Sequence, residues 1–258
     1  MITREELIRT GKARGLKPWQ EEKRYVQAMI LHSFRTRNLV CKGGTYLWFF
    51  HGLDRFSEDL DFTTREKTPP DLMESSERTL HLFGLDATHK LMKDDGHTLS
   101  FRIDARGPLH TGASDACRVY VEISRREPVL QRPLTVRLDE PTYGIPIDFL
   151  KGMDLSEVLA EKVRAFVRRA AVRDLYDMWY LLKRKEIVPD WRLIGQKLSF
   201  YHVPFSAHAV ETSLEKIRPR WKGEVGSTVL GNLLPFEEVE EQVLARLRPG
   251  EYRNSDQM

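Results

Sequence analysis

Between Leu39 and about Phe149 the chain is built from short runs in which apolar and polar residues alternate: "LVC", "DLDFT", "HTLSFRIDA", "CRVYVEIS" and "PLTVRL". Alternation sends successive side chains to opposite faces, so these runs predict strands of a sheet with one buried face. Helical stretches separate them. "PPDLMESSERTLHLF" predicts a helix started by Pro69 and Pro70, because the fixed φ of proline suits a first turn. Ahead of the strands, "PWQEEKRYVQAMILHSF" places Val26, Met29, Ile30 and Phe34 on one helical face. After Asp154 the period is helical nearly throughout, in "DLSEVLAEKVRAFVRRAAVRDLYDMWYLLKRK", "WRLIGQKL", "SAHAVETSLEKI" and "PFEEVEEQVLARL". The expected fold is α+β. Residues 1–150 form a mixed sheet with flanking and N-terminal helices, and residues 151–258 a mainly helical domain.

Composition adds exclusions. At 258 residues, 41% hydrophobic and 31% charged, the chain has the make-up of an ordinary globular protein. No apolar run approaches the roughly 18 to 20 residues that span a bilayer, and "MITREELIRTGKARG" is too polar and too acidic for a signal peptide. A cytoplasmic protein with no membrane partner is expected. Cys41 and Cys117 lie in strand-like segments, without metal-site spacing, and are expected to be buried thiols. A net charge of +3 permits a polyanionic partner without demanding one.

The chemistry concentrates in "KGGTYLWFFHGLDRFSEDLDF", Lys42 to Phe62. A short strand ends at Gly43 and Gly44, and a helical pattern follows, so the glycines sit at a strand-to-helix turn. Such a turn offers backbone N–H groups and the positive end of a helix dipole to an anion, and a triphosphate is the natural occupant. Lys42 and Thr45 flank it. A plain tight turn would explain the glycines equally well. In "SEDLDFT", however, Asp59 and Asp61 fall on one face of a strand, with Leu60 and Phe62 on the other. Carboxylates ~5 Å apart repel by roughly 3 kcal/mol at an effective dielectric near 20, so a cation is expected to offset them. Hard oxygen donors beside phosphates describe Mg²⁺, or Mn²⁺. Arg55 and Ser57, just upstream, are candidate contacts to the nucleotide. An isolated DxD would read as a solvated strand edge; joined to the glycine turn it is far more specific.

The glycine turn followed by a DxD strand resembles the polymerase-beta-type nucleotidyltransferase superfamily, and "KGGTYL" with "RFSEDLDF" resembles its AbiEii/AbiGii toxin branch. The bulky "YLWFF" departs from the small or basic residues of that branch. The resemblance implies a third carboxylate on a later strand. Glu122 in "VYVEIS" is the first choice, and Asp104 in "FRIDAR" competes with it. It also extends to "EKVRAFVRRAAVRDLYD", where Lys162, Ala165, Arg169, Arg173, Asp174 and Asp177 match a K-x-x-A-x-x-x-R-x-x-x-R-D-x-x-D run. By spacing alone that run would be a solvated, ion-paired helix face, with Lys162, Arg169 and Arg173 in one row if the helix persists. The resemblance gives Lys162 a role on the triphosphate or the departing pyrophosphate. Asp174 would position that lysine or assist the nucleophile, Arg169 and Arg173 would bind nucleotide, and the helical domain would complete the active site.

The resemblance therefore implies a Mg-dependent enzyme that moves NMP from an NTP to an acceptor hydroxyl, as the toxin of a toxin–antitoxin or abortive-infection system. RNA, possibly a tRNA 3′ end, is the implied acceptor and an antitoxin protein the implied partner. Arg125, Arg126, Lys183, Arg184 and Lys185 are candidate phosphate contacts, or simply solubilising charges. Transfer to a small molecule such as an aminoglycoside, transfer to a protein hydroxyl, and a non-catalytic nucleotide-binding module remain alternatives.

Overall fold

The computed structural model describes residues 2–64, 66–112, 115–203 and 206–247. Two units divide the chain, Met1–Asp154 and Leu155–Met258.

The first unit opens with α1 (Arg4–Ala13), whose N-terminus is closed by a reciprocal capping box between Thr3 and Glu6. In α2 (Pro18–Ser33) the proline occupies the first turn, and Val26, Met29 and Ile30 are wholly buried, with Phe34 joining them just past the helix end. There follow β1 (Val40–Lys42), α3 (Gly43–His51), β2 (Leu60–Thr63), α4 (Leu72–Leu82), β3 (Asp86–Asp94), β4 (Thr98–Arg106), β5 (Cys117–Ser124), β6 (Leu134–Leu138) and β7 (Asp148–Gly152). The strands form one sheet in the order β3-β4-β5-β2-β1-β7-β6. The pairs β1–β7 and β2–β5 are parallel and the remainder antiparallel, which makes the sheet mixed.

Alternation sets the two faces. Leu60, Phe62, Phe101, Ile103, Val119, Val121 and Ile123 are fully buried on one, where Phe34 meets Phe62 edge-on at 5.2 Å and α2 and α4 pack. Their neighbours Asp61, Ser100, Arg102, Asp104, Arg118, Tyr120 and Glu122 form the polar face. The first three "YLWFF" residues are core and Phe49 and Phe50 are half-buried. Tyr46, Leu47 and Trp48 are buried, and the Tyr46 hydroxyl donates to the Met153 carbonyl at 2.9 Å. Cys41 and Cys117 are free, buried thiols, and burial pushes the Cys117 thiol up to about 12.

Three expectations need correction, and strand β3 had none. Pro69 and Pro70 precede α4 rather than start it, since the helix begins at Leu72 after Asp71. Asp59 lies immediately before β2, not within it. Strand β3, which no alternating run in the sequence marks, is a sheet edge exposed along most of its length, Leu91 and Met92 included. The charged helix of the second unit does not persist, because it breaks at Ala170, which takes a positive φ of 45°.

That break separates α5 (Leu155–Arg169) from α6 (Val172–Trp179), which runs on into a π-helical turn over Tyr180–Arg184. Then come α7 (Trp191–Phe200), α8 (Ala207–Ile217), α9 (Trp221–Val225) and α10 (Phe236–Leu247). Leu159, Val163, Phe166, Leu175 and Met178 make the core of this unit, and Trp221 packs between Tyr176 and Phe236.

Candidate active site

At the end of β1 the chain turns into α3 through Gly43, whose φ of 76° is the left-handed conformation that favours glycine. Lys42, at the N-cap, contributes no side-chain cap to the helix.

Side chains from the segment that follows α3 gather over this turn. A side-chain carbon on Gly43 would collide with the Asp61 carboxylate, and one on Gly44 would lie 2.6 Å from the Arg55 guanidinium and 2.8 Å from the Ser57 hydroxyl. Thus Gly43, Gly44, Arg55, Ser57 and Asp61 converge on one place. Thr45 is buried and donates its hydroxyl hydrogen to the Asp59 carbonyl, which fixes the start of β2 against α3. From α2, Gln27 donates to the Ser57 carbonyl at 3.1 Å and to the Glu58 carbonyl at 2.7 Å. Gln27 had no signal in the sequence, since a buried glutamine on an apolar helix face has no motif.

Across the sheet, Lys42 pairs with Asp61, Asp61 with Glu122, and Glu122 with Ser100, so these side chains form a single row on the polar face. Neighbouring strands lie about 4.8 Å apart. Asp104 is outside that row. It stands four residues farther along β4, between Arg102 at 2.6 Å and Arg118 at 3.6 Å. Glu122 keeps half its side chain in solvent, 3.7 Å from Arg126.

Among the described residues no three His, Cys, Asp or Glu side chains are gathered as a metal-holding group. The carboxylate that lies over the glycine turn is that of Asp61, and Glu122 is level with it across the sheet. Two hard carboxylates fit a Mg²⁺-like ion that takes its other ligands from nucleotide phosphates and water.

Gly43→Ala is a direct test of this convergence. The new methyl has a strained φ and meets Asp61, so a loss of about 1–3 kcal/mol of stability, together with impaired NTP binding, is expected in a urea melt and a titration.

The helical unit holds a second polar centre. Lys162, on α5, reaches Asp177 at 2.6 Å and Asp174 at 3.1 Å, and Arg169 reaches Asp174 at 2.7 Å; both carboxylates are 0% exposed. Arg173 does not extend this row, because α5 has ended and Arg173 is exposed on α6. A neighbouring cluster went unrecognised in the sequence. Lys197 of α7 is buried against Glu157 at 2.7 Å and Glu161 at 3.2 Å. Its available signal was a lysine inside the apolar run of α7 facing two glutamates one turn apart on α5. Three of the other basic candidates serve local structure. Arg125 binds Thr68 and Asp94, Arg184 lies over Trp179, and Lys185 lies over Tyr180.

Burial acts to raise the Asp174 pKa, but Lys162 and Arg169 outweigh it and hold the carboxyl well below its ordinary value. A depressed folded-state pKa contributes stability that is complete above the unfolded value, near 3.9, and is lost as pH falls toward the folded one. The wild-type melting temperature should therefore drop steeply below about pH 4. Asp174→Asn should flatten that drop, measured by circular dichroism melts across the range; an unchanged slope would contradict the assignment.

The sequence matches the family described as "Nucleotidyl transferase AbiEii toxin, Type IV TA system" over residues 24–242. The chain belongs to that family. It is an AbiEii-type nucleotidyltransferase, and the family is one of toxins of type IV toxin–antitoxin systems, which implies an antitoxin partner. Solved structures share the fold. MenT4, a nucleotidyltransferase toxin from Mycobacterium tuberculosis, superposes with a TM-score of 0.68 at 20% identity, covering 95% of this chain and 88% of its own. JHP933 from Helicobacter pylori gives 0.63 at 18% identity, covering 89% and 90%. No curated protein matches the sequence. Nucleotidyltransferases of this kind use an NTP and a divalent metal. No helix among the described residues is long and apolar enough to cross a membrane.

Proposed function

We propose that this nucleotidyltransferase transfers NMP from an NTP to a hydroxyl of RNA, with the 3′ end of tRNA as the favoured acceptor, and that Mg²⁺ (or Mn²⁺) is its metal. The observation that supports this most is the meeting of the Gly43–Gly44 turn with the Asp61 carboxylate. A phosphate turn and a cation-binding carboxylate have use for each other only when a nucleotide lies between them.

The N–H groups at the start of α3 would hold the phosphates of the NTP, and the two glycines let them approach closely. Arg55 and Ser57 would take further phosphate or ribose oxygens, while Lys42 adds charge from the facing strand. Asp59 and Asp61 would hold the metal ion, with Glu122 as the third carboxylate because it, and not Asp104, is level with Asp61. When bound, that ion would neutralise triphosphate charge and make the acceptor hydroxyl more acidic. The hydroxyl attacks the α-phosphorus, the α–β anhydride bond breaks, and pyrophosphate leaves. In the helical unit, Lys162 would act on the triphosphate or pyrophosphate, oriented by Asp174 and Asp177, with Arg169 and Arg173 as further cations.

Incubating the protein with each labelled NTP and total RNA, with and without Mg²⁺, tests the reading. Label entering an RNA band only with Mg²⁺ is the expected result. Label entering protein or small molecules instead would move the acceptor to another class.

A further inference from the structure

The polar face of the sheet carries a second cross-strand row, one step along from Asp61 and Glu122. Tyr120 on β5 pairs with Arg102 on β4, and Arg102 with Lys90 on β3. A third row follows, in which Arg118 pairs with Asp104.

Tyr120 is 40% exposed although its strand neighbours Val119 and Val121 are fully buried. Arg102 lies beside its hydroxyl, and Arg118 has half its side chain in water. Around this ring the cations are Lys90, Arg102 and Arg118, and the carboxylates are Asp104, held by Arg102 and Arg118, and Glu122, two residues along the same face of β5, which leaves one positive charge in surplus. An exposed aromatic ring among these cations suits a base with its phosphates.

We propose that this face is the platform for the acceptor, a single-stranded polynucleotide end. One base stacks on Tyr120, and Arg102, Arg118 and Lys90 take backbone phosphates, which delivers the terminal hydroxyl to the Asp59–Asp61 end of the sheet. The proposal rests on the reading that RNA is the acceptor. Stacking tolerates any base, because every base has a π-face. The identity of the acceptor would then be set elsewhere, and Tyr120 would supply affinity.

The test uses the full chain, a labelled single-stranded RNA dodecamer followed by anisotropy, and NTP binding followed by calorimetry. Tyr120→Ala should weaken RNA binding about tenfold or more, since stacking contributes roughly 1–3 kcal/mol per base. Tyr120→Phe keeps the ring and should stay within about threefold. The exposed pair Lys90→Glu with Arg118→Glu should weaken binding to a similar extent and reduce its salt dependence. It provides a second reading if Tyr120→Ala folds poorly. NTP affinity should be the same in all three. Wild-type RNA binding in Tyr120→Ala and in the charge pair overturns the platform, and label still entering RNA in those variants would leave the transfer reading standing. Wild-type protein that labels a protein or peptide and does not bind RNA overturns both.

Discussion

Asp61→Asn should lower the rate of nucleotide transfer by at least about a thousandfold, some 4 kcal/mol of transition-state stabilisation, while changing folding stability by no more than about 1 kcal/mol. The two halves have separate physical causes. Asn keeps the size of Asp and so preserves the packing over Gly43, where the Asp61 carboxylate occupies the space that a side chain on that glycine would need. What it loses is a full negative charge on a hard oxygen donor, which is what holds a divalent ion against the charge of a triphosphate. Asp59→Asn should behave alike. Its carbonyl, which accepts from Thr45, is untouched by the change. Glu122→Gln should cost less, roughly tenfold to a hundredfold, because Glu122 is half in solvent and already balanced by Arg126. Single-turnover transfer rates at saturating Mg²⁺ beside urea melts would check all three. Wild-type rates in both aspartate variants would remove the metal from this site.

The parts of this site that could be read from sequence are those whose chemistry and spacing are local. Gly43, Gly44, Asp59 and Asp61 lie within one strand–helix–strand segment, and the turn needs glycine for a reason that sequence shows. The pairing of Glu122 with Asp61 depends on β5 lying beside β2, a parallel pairing of distant segments that alternation cannot reveal. The edge strand β3 was silent for a related reason: it is exposed along most of its length, with Leu91 and Met92 adjacent in solvent, so it has no apolar–polar period. In the helical half the motif spacing was legible but its surroundings were not. A lysine, an arginine and two aspartates at helical intervals look like a solvated face. Only the break at Ala170, which turns α6 away from the line of α5, brings Asp174 and Asp177 onto Lys162.

That enclosure changes what Lys162→Met should do. On a solvated face, losing a lysine would be nearly neutral. Here Lys162 neutralises two carboxylates that have no exposure, and removal leaves Arg169 on Asp174 but takes the Lys162 ion pair from Asp177. Breaking a buried ion pair by removing one partner costs up to about 3–5 kcal/mol, so the single variant should melt well below wild type, whatever its part in transfer. Stability and chemistry are separated by a second substitution. Asp177→Asn in the Lys162→Met background lowers the buried negative charge by one and should restore much of the lost stability, since a neutral amide tolerates burial better than an ion does. If Lys162 also acts on the triphosphate, the rescued double variant should still transfer about 30- to 1000-fold more slowly, the equivalent of roughly 2–4 kcal/mol. Lys162→Arg should fall between, because arginine keeps the charge but is too long and too planar for a position built around a compact ammonium. Thermal melts read the first effect and single-turnover transfer the second. A double variant that is both stable and as fast as wild type would confine Lys162 to holding α5 and α6 together.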